Sequence, residues 1–281
     1  MNIFDYAKHL FFSPDLESKL LCPSIVDDFS GEVISEDVAD LYPARDESIS
    51  FSDEQVKFPR KGALRQDEKK GLALHFFANH ELLAIEMMAA AILFLKPSKN
   101  IEHKEIQKIR RGLLTTIRDE QKHFKLYQNR MQEFGCRFGD YPLNDFFWRQ
   151  MQKVKSLDEY LSVMAITFEG ANLDFAHYYR EVFKEIGDSK TSSIMNVVYE
   201  DEITHVALGA HWLNKWREDE SIWNYYLNSL PELLTPSRAK GIIYDEEART
   251  RAGLDSDFIK TLKVYKDDFT VTQRKEWNAS K

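Results

Sequence analysis

The sequence predicts an all-α fold: a four-helix bundle over residues 67–218, an N-terminal wrapping arm over 1–66, and extra C-terminal helices forming a cover and tail over 219–281. Two observations carry this reading. Four stretches of helical length, 66–96, 101–134, 157–186 and 191–217, are separated by Pro97, Gly135 and Gly187. One pentad then occurs twice, as Asp119-Glu120-Gln121-Lys122-His123 in the second stretch and Asp201-Glu202-Ile203-Thr204-His205 in the fourth.

In a helix, residues three apart lie one turn from each other on one face, so the Glu and His of each pentad can reach a single metal ion. The Asp four before each His shares that face. Asp119 and Asp201 are placed to accept a hydrogen bond from the other ring nitrogen and so orient the imidazole. With 8 His and 46 acidic groups in 281 residues, acids at both minus three and minus four of a His are expected about 0.2 times by chance; two cases occur. Glu-x-x-His on two helices is half of the ligand set of ferritin-like di-iron and di-manganese bundles. There the other two helices each add one inward Glu. The first and third long helices should therefore each carry a Glu in apolar surroundings.

Composition narrows the class. The chain is 43% hydrophobic and 30% charged, ordinary for a soluble globular protein. A net charge of −8 argues against broad nucleic-acid binding, though a local basic patch is compatible with it. No apolar run approaches the ~20 residues of a membrane span, and the N-terminus lacks a signal pattern. Two cysteines, Cys22 and Cys136, make no disulfide scaffold, so a cytoplasmic location is expected.

Along the chain, Ile3 to Phe12 reads as a short helix and Ser13-Pro14-Asp15 as a second helix start. Phe29, Tyr42, Phe51 and Phe58 mark the rest of the arm as a packed segment. The first long helix is apolar almost all round, which marks burial, and Glu81 and Glu86 interrupt it. They are five apart and face differently. Measured from a turn near Ser98, Glu81 lies closer than Glu86 to the level of Glu120 and His123, which favours Glu81, with Glu86 the alternative. A short helix near 144–151 follows the second long one, and its Phe146, Phe147 and Trp148 suit either packing or a channel lining.

On the third long helix, Glu169 stands among Met164, Ile166, Phe168 and Leu173, as required. Asp174 competes with it. Measured from a turn near Ser189, Asp174 matches the level of Glu202 and His205 better, unless tilt or a bulge at Gly170 absorbs the difference. His177 and His211 read as structural. Helices over 237–252 and 256–265 form the cover, and the tail after Lys266 reads as polar and frayed.

Several stretches together resemble the ferritin-like domain-of-unknown-function family 455, over roughly Phe58 to Leu262. They are His80-Glu81-Leu82-Leu83-Ala84-Ile85-Glu86, Arg137-Phe138-Gly139-Asp140-Tyr141-Pro142, Phe168-Glu169-Gly170-Ala171-Asn172-Leu173-Asp174, and both pentads, the second with Val206-Ala207-Leu208-Gly209. That family is distantly similar to di-iron tRNA hydroxylases and to bacterial di-iron monooxygenases. The resemblance implies a metal set of Glu81, Glu120, His123, Glu169, Glu202 and His205, and it selects Glu169 over Asp174. The expected cofactors are two Fe ions, or Mn and Fe, with O2 as co-substrate. The expected activity is oxidation or hydroxylation of an unidentified organic substrate. The alternative is ferroxidase or iron handling without an organic substrate, which the long arm and cover disfavour because they obstruct cage assembly. Expected partners are a small substrate and an electron donor, with no membrane; a homodimer is compatible.

Overall fold

The computed structural model describes residues 1–99 and 101–267, and the expected frayed tail beyond Asp267 lies outside them. The fold is all-α and of the ferritin-like bundle type; among the described residues the only β pairings are two isolated bridges. The chain groups into two compact units, Met1–Lys155 and Ser156–Lys281. Each consists of a long helix pair and the segment wrapped on it.

In the first unit, α1 (Ile3–Phe12) buries Ile3, Phe4, Ala7, Leu10 and Phe11, the three-and-four spacing of one helix face. Asn2 caps it by accepting from the Phe4 N–H at 2.8 Å. The predicted second start is α2 (Leu16–Lys19), but Asp15 is its cap, so Pro14 lies outside the first turn. The arm continues through 3-10 turns and is fixed by backbone and aromatic contacts. Trp148 Nε1 donates to Leu41 O at 2.9 Å, Arg110 donates to Phe29 O at 2.9 Å, and Phe58 packs edge-on against Phe76.

The first helix pair is α3 (Asp67–Phe94) and α4 (His103–Glu133). It is antiparallel and tight at its open end: a Cβ on Gly71 would meet Cys136 Cβ at 2.8 Å. Gly135, at φ +74°, ends α4 in the left-handed conformation. By length and hydropathy α3 is apolar enough to cross a bilayer, more so than its sequence first suggested; 83% of that window is buried inside the protein, as in a core helix. The short α5 (Phe146–Met151) follows.

The second unit opens with α6 (Leu157–Leu161), which runs without a break through a π-helical segment, Ser162–Phe168, into α7 (Glu169–Glu185). The expected bulge therefore lies before Glu169, not at Gly170. Thr167 Oγ1 donates to Ser162 O at 2.8 Å within it. α8 (Ser189–Trp216) returns antiparallel and lies so close to the π segment that a Cβ on Gly209 would meet Ala165 Cβ at 2.5 Å. α9 (Ile222–Asn228), not foreseen in the sequence, packs its Tyr226 hydroxyl 2.8 Å from Thr167 Oγ1.

The cover differs from the helix expected over 237–252. Only a 3-10 turn, Pro236–Ala239, and α10 (Glu246–Arg251) form there; α11 (Ser256–Val264) follows as expected. The intervening chain is drawn onto Asp174, whose carboxylate accepts from the Gly241 and Asp245 N–H groups at 2.8 Å each. Gly241 approaches so closely that a Cβ there would lie 2.7 Å from Asp174 Cβ. Arg249, fully buried, donates to both Asp174 oxygens at 2.6 and 2.9 Å, and to the Gly170, Ala239 and Asp245 carbonyls. His177, as expected of a structural residue, sits with Nδ1 2.6 Å from Asp245 Oδ2.

Removing one partner of such a pair strands a buried charge. Arg249→Ala should lose about 3–5 kcal/mol in denaturant unfolding. The Asp174→Asn/Arg249→Met double variant should recover part of that loss.

His75 gives a pH dependence. Buried against Phe138, it accepts the Gly139 N–H through Nε2 at 3.1 Å, and burial pushes its pKa down to about 4. The unfolded chain, with the ordinary value near 6.5, takes up a proton first, so this contribution is full above pH 6.5 and is lost as the pH falls toward 4. Between pH 7 and pH 5, wild-type stability should fall by about 2 kcal/mol more than that of His75→Gln, measured by urea titration at each pH.

Candidate metal centre

Each unit gathers two carboxylates and one imidazole on the facing sides of its helix pair. In the first, α3 supplies Glu81 and α4 supplies Glu120 and His123, with one ligand atom of each within 4.8 Å of the others. In the second, α7 supplies Glu169 and α8 supplies Glu202 and His205, again all within 4.8 Å. All six residues are buried.

The pentad geometry is the same in both units. His123 Nδ1 lies 3.1 Å from Glu120 Oε2, and His205 Nδ1 lies 3.1 Å from Glu202 Oε2. A nitrogen and an oxygen thus converge from consecutive turns of one helix, as the i, i+3 spacing requires. Two carboxylates crowded together out of water repel unless a proton or a cation neutralises them. Oxygen and imidazole donors without a thiolate suit Fe or Mn better than structural zinc. On the chemistry of its donors, each triad fits a divalent metal ion.

The turn between α7 and α8 explains why Glu169 is in register. It centres on Gly187, at φ +84°, and not on Ser189. Glu169 is then 18 residues before the turn (187 − 169) and His205 is 18 after it (205 − 187). Asp174, 13 residues before (187 − 174), is the one out of level.

The two carboxylates held open as alternatives are engaged by cations. Asp174 is clamped by Arg249, as described. Glu86, fully buried, receives Lys19 Nζ at 3.2 Å and a two-pronged contact from Arg45, Nε to Oε1 at 3.0 Å and Nη2 to Oε2 at 2.7 Å. Burial lowers the Lys19 pKa, and the carboxylate beside it opposes that shift. Asp119, expected to orient His123, lies with its Oδ1 3.7 Å from Arg118 Nε and 3.6 Å from Lys122 Nζ. Asp201 is half-buried on α8.

Sequence reasoning gave no role to three residues near the triads. His80, next to Glu81, packs on Phe147 with ring centroids 4.8 Å apart and the planes tilted by 35°, and burial pushes its pKa down to about 4. Gln121, inside the first pentad, is buried and donates to the Lys19 and Leu21 carbonyls at 3.0 Å each, tying α4 to the arm. Asn172 Nδ2 donates to Glu202 Oε1 at 2.7 Å. Only the placement of Asn172 one turn after Glu169 could have signalled it.

Comparison with known proteins places the chain. The family model described as "Protein of unknown function (DUF455)" matches residues 13–260, and the chain belongs to that family. A Haemophilus influenzae protein described as uncharacterized is 25% identical over 216 residues, covering 73% of this chain and 74% of its own length. No solved structure matches.

The two kinds of buried carboxylate should separate on substitution. Glu120→Gln should abolish metal uptake by its triad, whereas Glu86→Gln should keep wild-type metal stoichiometry and instead lower the melting temperature, because Lys19 and Arg45 lose their counter-charge. Elemental analysis beside calorimetry checks both.

Proposed function

We propose that this member of the family is a two-metal carboxylate protein that uses O2 to oxidise or hydroxylate a small organic substrate. Glu81, Glu120 and His123 would hold one ion, and Glu169, Glu202 and His205 the other. The observation that carries this reading is the repetition of one buried donor set, two carboxylates and an imidazole, in both halves of a ferritin-like fold. Bundles of that class bring two such sets together.

Four carboxylates balance the charge of two divalent ions, so the filled centre would be near neutral and tolerable in a dry interior. A bound Fe or Mn pair supplies the redox chemistry with O2. The protein's own share is positioning and exclusion of water. The i, i+3 spacing presents nitrogen and oxygen from one helix face, Asn172 holds Glu202, and Leu82, Leu83, Ile203 and Val206, all buried, keep the ligands in an apolar setting.

Metal content is the decisive test. Protein purified without chelator, or loaded anaerobically with Fe(II), should hold about two ions per chain. It should consume O2 on exposure, and substitution of Glu120 or Glu202 by Ala should lower both readings. Failure to take up stoichiometric metal after loading would defeat the proposal. Uptake followed only by iron oxidation and mineral growth would favour a ferroxidase.

A further inference from the structure

The outer face of α4 carries one sign of charge. Lys104, Lys108, Arg111, Arg118, Lys122 and Lys125 are all exposed. They follow one another at helical spacing, with the exposed Thr115 filling the one gap, so they form a single row along the helix. From Lys104 to Lys125 the row rises about 31 Å. The acids of α4 stay off it. Glu120 is buried, Glu105 lies to the side, Glu133 lies beyond its end, and Asp119, 12% exposed, stands at its edge beside Arg118 and Lys122. The arm packs Phe29 against Arg111 and brings Asp27 and Asp28 with it. Those two are engaged by the N-terminal amine and by Asn2 Nδ2, at 2.8 Å each.

Solvation alone does not call for such a row. α8 carries the other pentad, and between Ser193 and Asn214 its exposed residues include Asn196, Val197, Glu200, Thr204 and His211, with no Lys or Arg in the segment. Like charges three or four apart destabilise a helix. The row contains four such pairs, 104 with 108, 108 with 111, 118 with 122, and 122 with 125. Its cations are thus a cost to the free helix that a bound polyanion would relieve.

The shape of the row selects among polyanions. None of the large exposed apolar residues lies on α4. A protein interface is built on an apolar centre, a membrane-surface helix inserts an apolar face, and a single nucleic-acid strand stacks its bases on aromatic rings. A double helix keeps its bases inside and is held through its phosphates by charge. The row is also close in length to one turn of a duplex, about 34 Å.

We propose that the exposed face of α4 docks a nucleic-acid double helix through its phosphates, without reading sequence. The assignment stands apart from the metal reading, because Glu120 and His123 lie on the buried side of the same helix. Fluorescence anisotropy of a labelled duplex, DNA and RNA in turn, tests it on the full chain. The logarithm of the affinity should fall against the logarithm of salt concentration with a slope of about −4 to −5. Lys108→Gln/Arg118→Gln/Lys125→Gln should bind about 10–100-fold more weakly at about 0.1 M salt and flatten that slope by about 2–3. It should melt no lower than the wild type, because like-charge pairs are removed. Lys184→Gln/Lys190→Gln/Lys215→Gln makes the same change of net charge at exposed sites of the second unit and should bind as the wild type does.

No binding of either duplex at about 50 mM salt would overturn the proposal. So would equal losses in the two triple variants, which would reduce the effect to net charge. Competition by polyglutamate as strong as by unlabelled duplex would give the face to an acidic protein instead, and tighter binding to phosphatidylserine vesicles would give it to a membrane.

Discussion

The structure depends on how it neutralises carboxylates placed inside helices. α3 and α7 each carry two buried acids five residues apart, Glu81 with Glu86 and Glu169 with Asp174. In each pair the later acid is clamped by cations from outside the helix pair, Lys19 and Arg45 from the arm in one unit and Arg249 from the cover in the other. The earlier acid stands beside a second carboxylate and an imidazole. One member of each pair fastens a wrapping segment, and the other belongs to a site that suits a metal ion. A buried carboxylate is costly alone, so the arm and cover are as integral to these helices as their apolar faces.

The helix that carries Glu169 shows the same economy of means. Residues 162–168 wind as a π helix that stops one residue before Glu169, and Gly209 lets α8 lie against it. Thr167 ties the segment back to Ser162 and meets Tyr226 of α9. The direction in which Glu169 leaves the helix is therefore set by packing on both sides and not by helical phase alone.

What the sequence revealed was local. The i, i+3 placement of Glu120 with His123 and of Glu202 with His205 follows from helix geometry, and the burial of α3 follows from apolar residues on almost every face of it. Helix level from the turn favours Glu81 over Glu86, and favours Glu169 over Asp174 once the turn is centred on Gly187; what no periodicity reports is that Glu86 and Asp174 are engaged by partners 41 and 75 residues away. The π segment, Ser-Val-Met-Ala-Ile-Thr-Phe, is buried throughout, and its two polar residues, Ser162 and Thr167, give no phase from which a change of winding could be read. The cover misled for a related reason. In its chain from Lys240 to Asp245, the N–H groups of Gly241 and Asp245 are given to Asp174 and not to a helix.

The two clamps also differ in the order in which their parts are made. Lys19 and Arg45 leave the ribosome before Glu86, so a growing chain already holds the cations when that carboxylate emerges. Asp174 emerges 75 residues before Arg249. At about 5–20 residues per second, about 4–15 s pass before its partner is synthesised. The first clamp can form as soon as Glu86 emerges, whereas the second waits for Arg249.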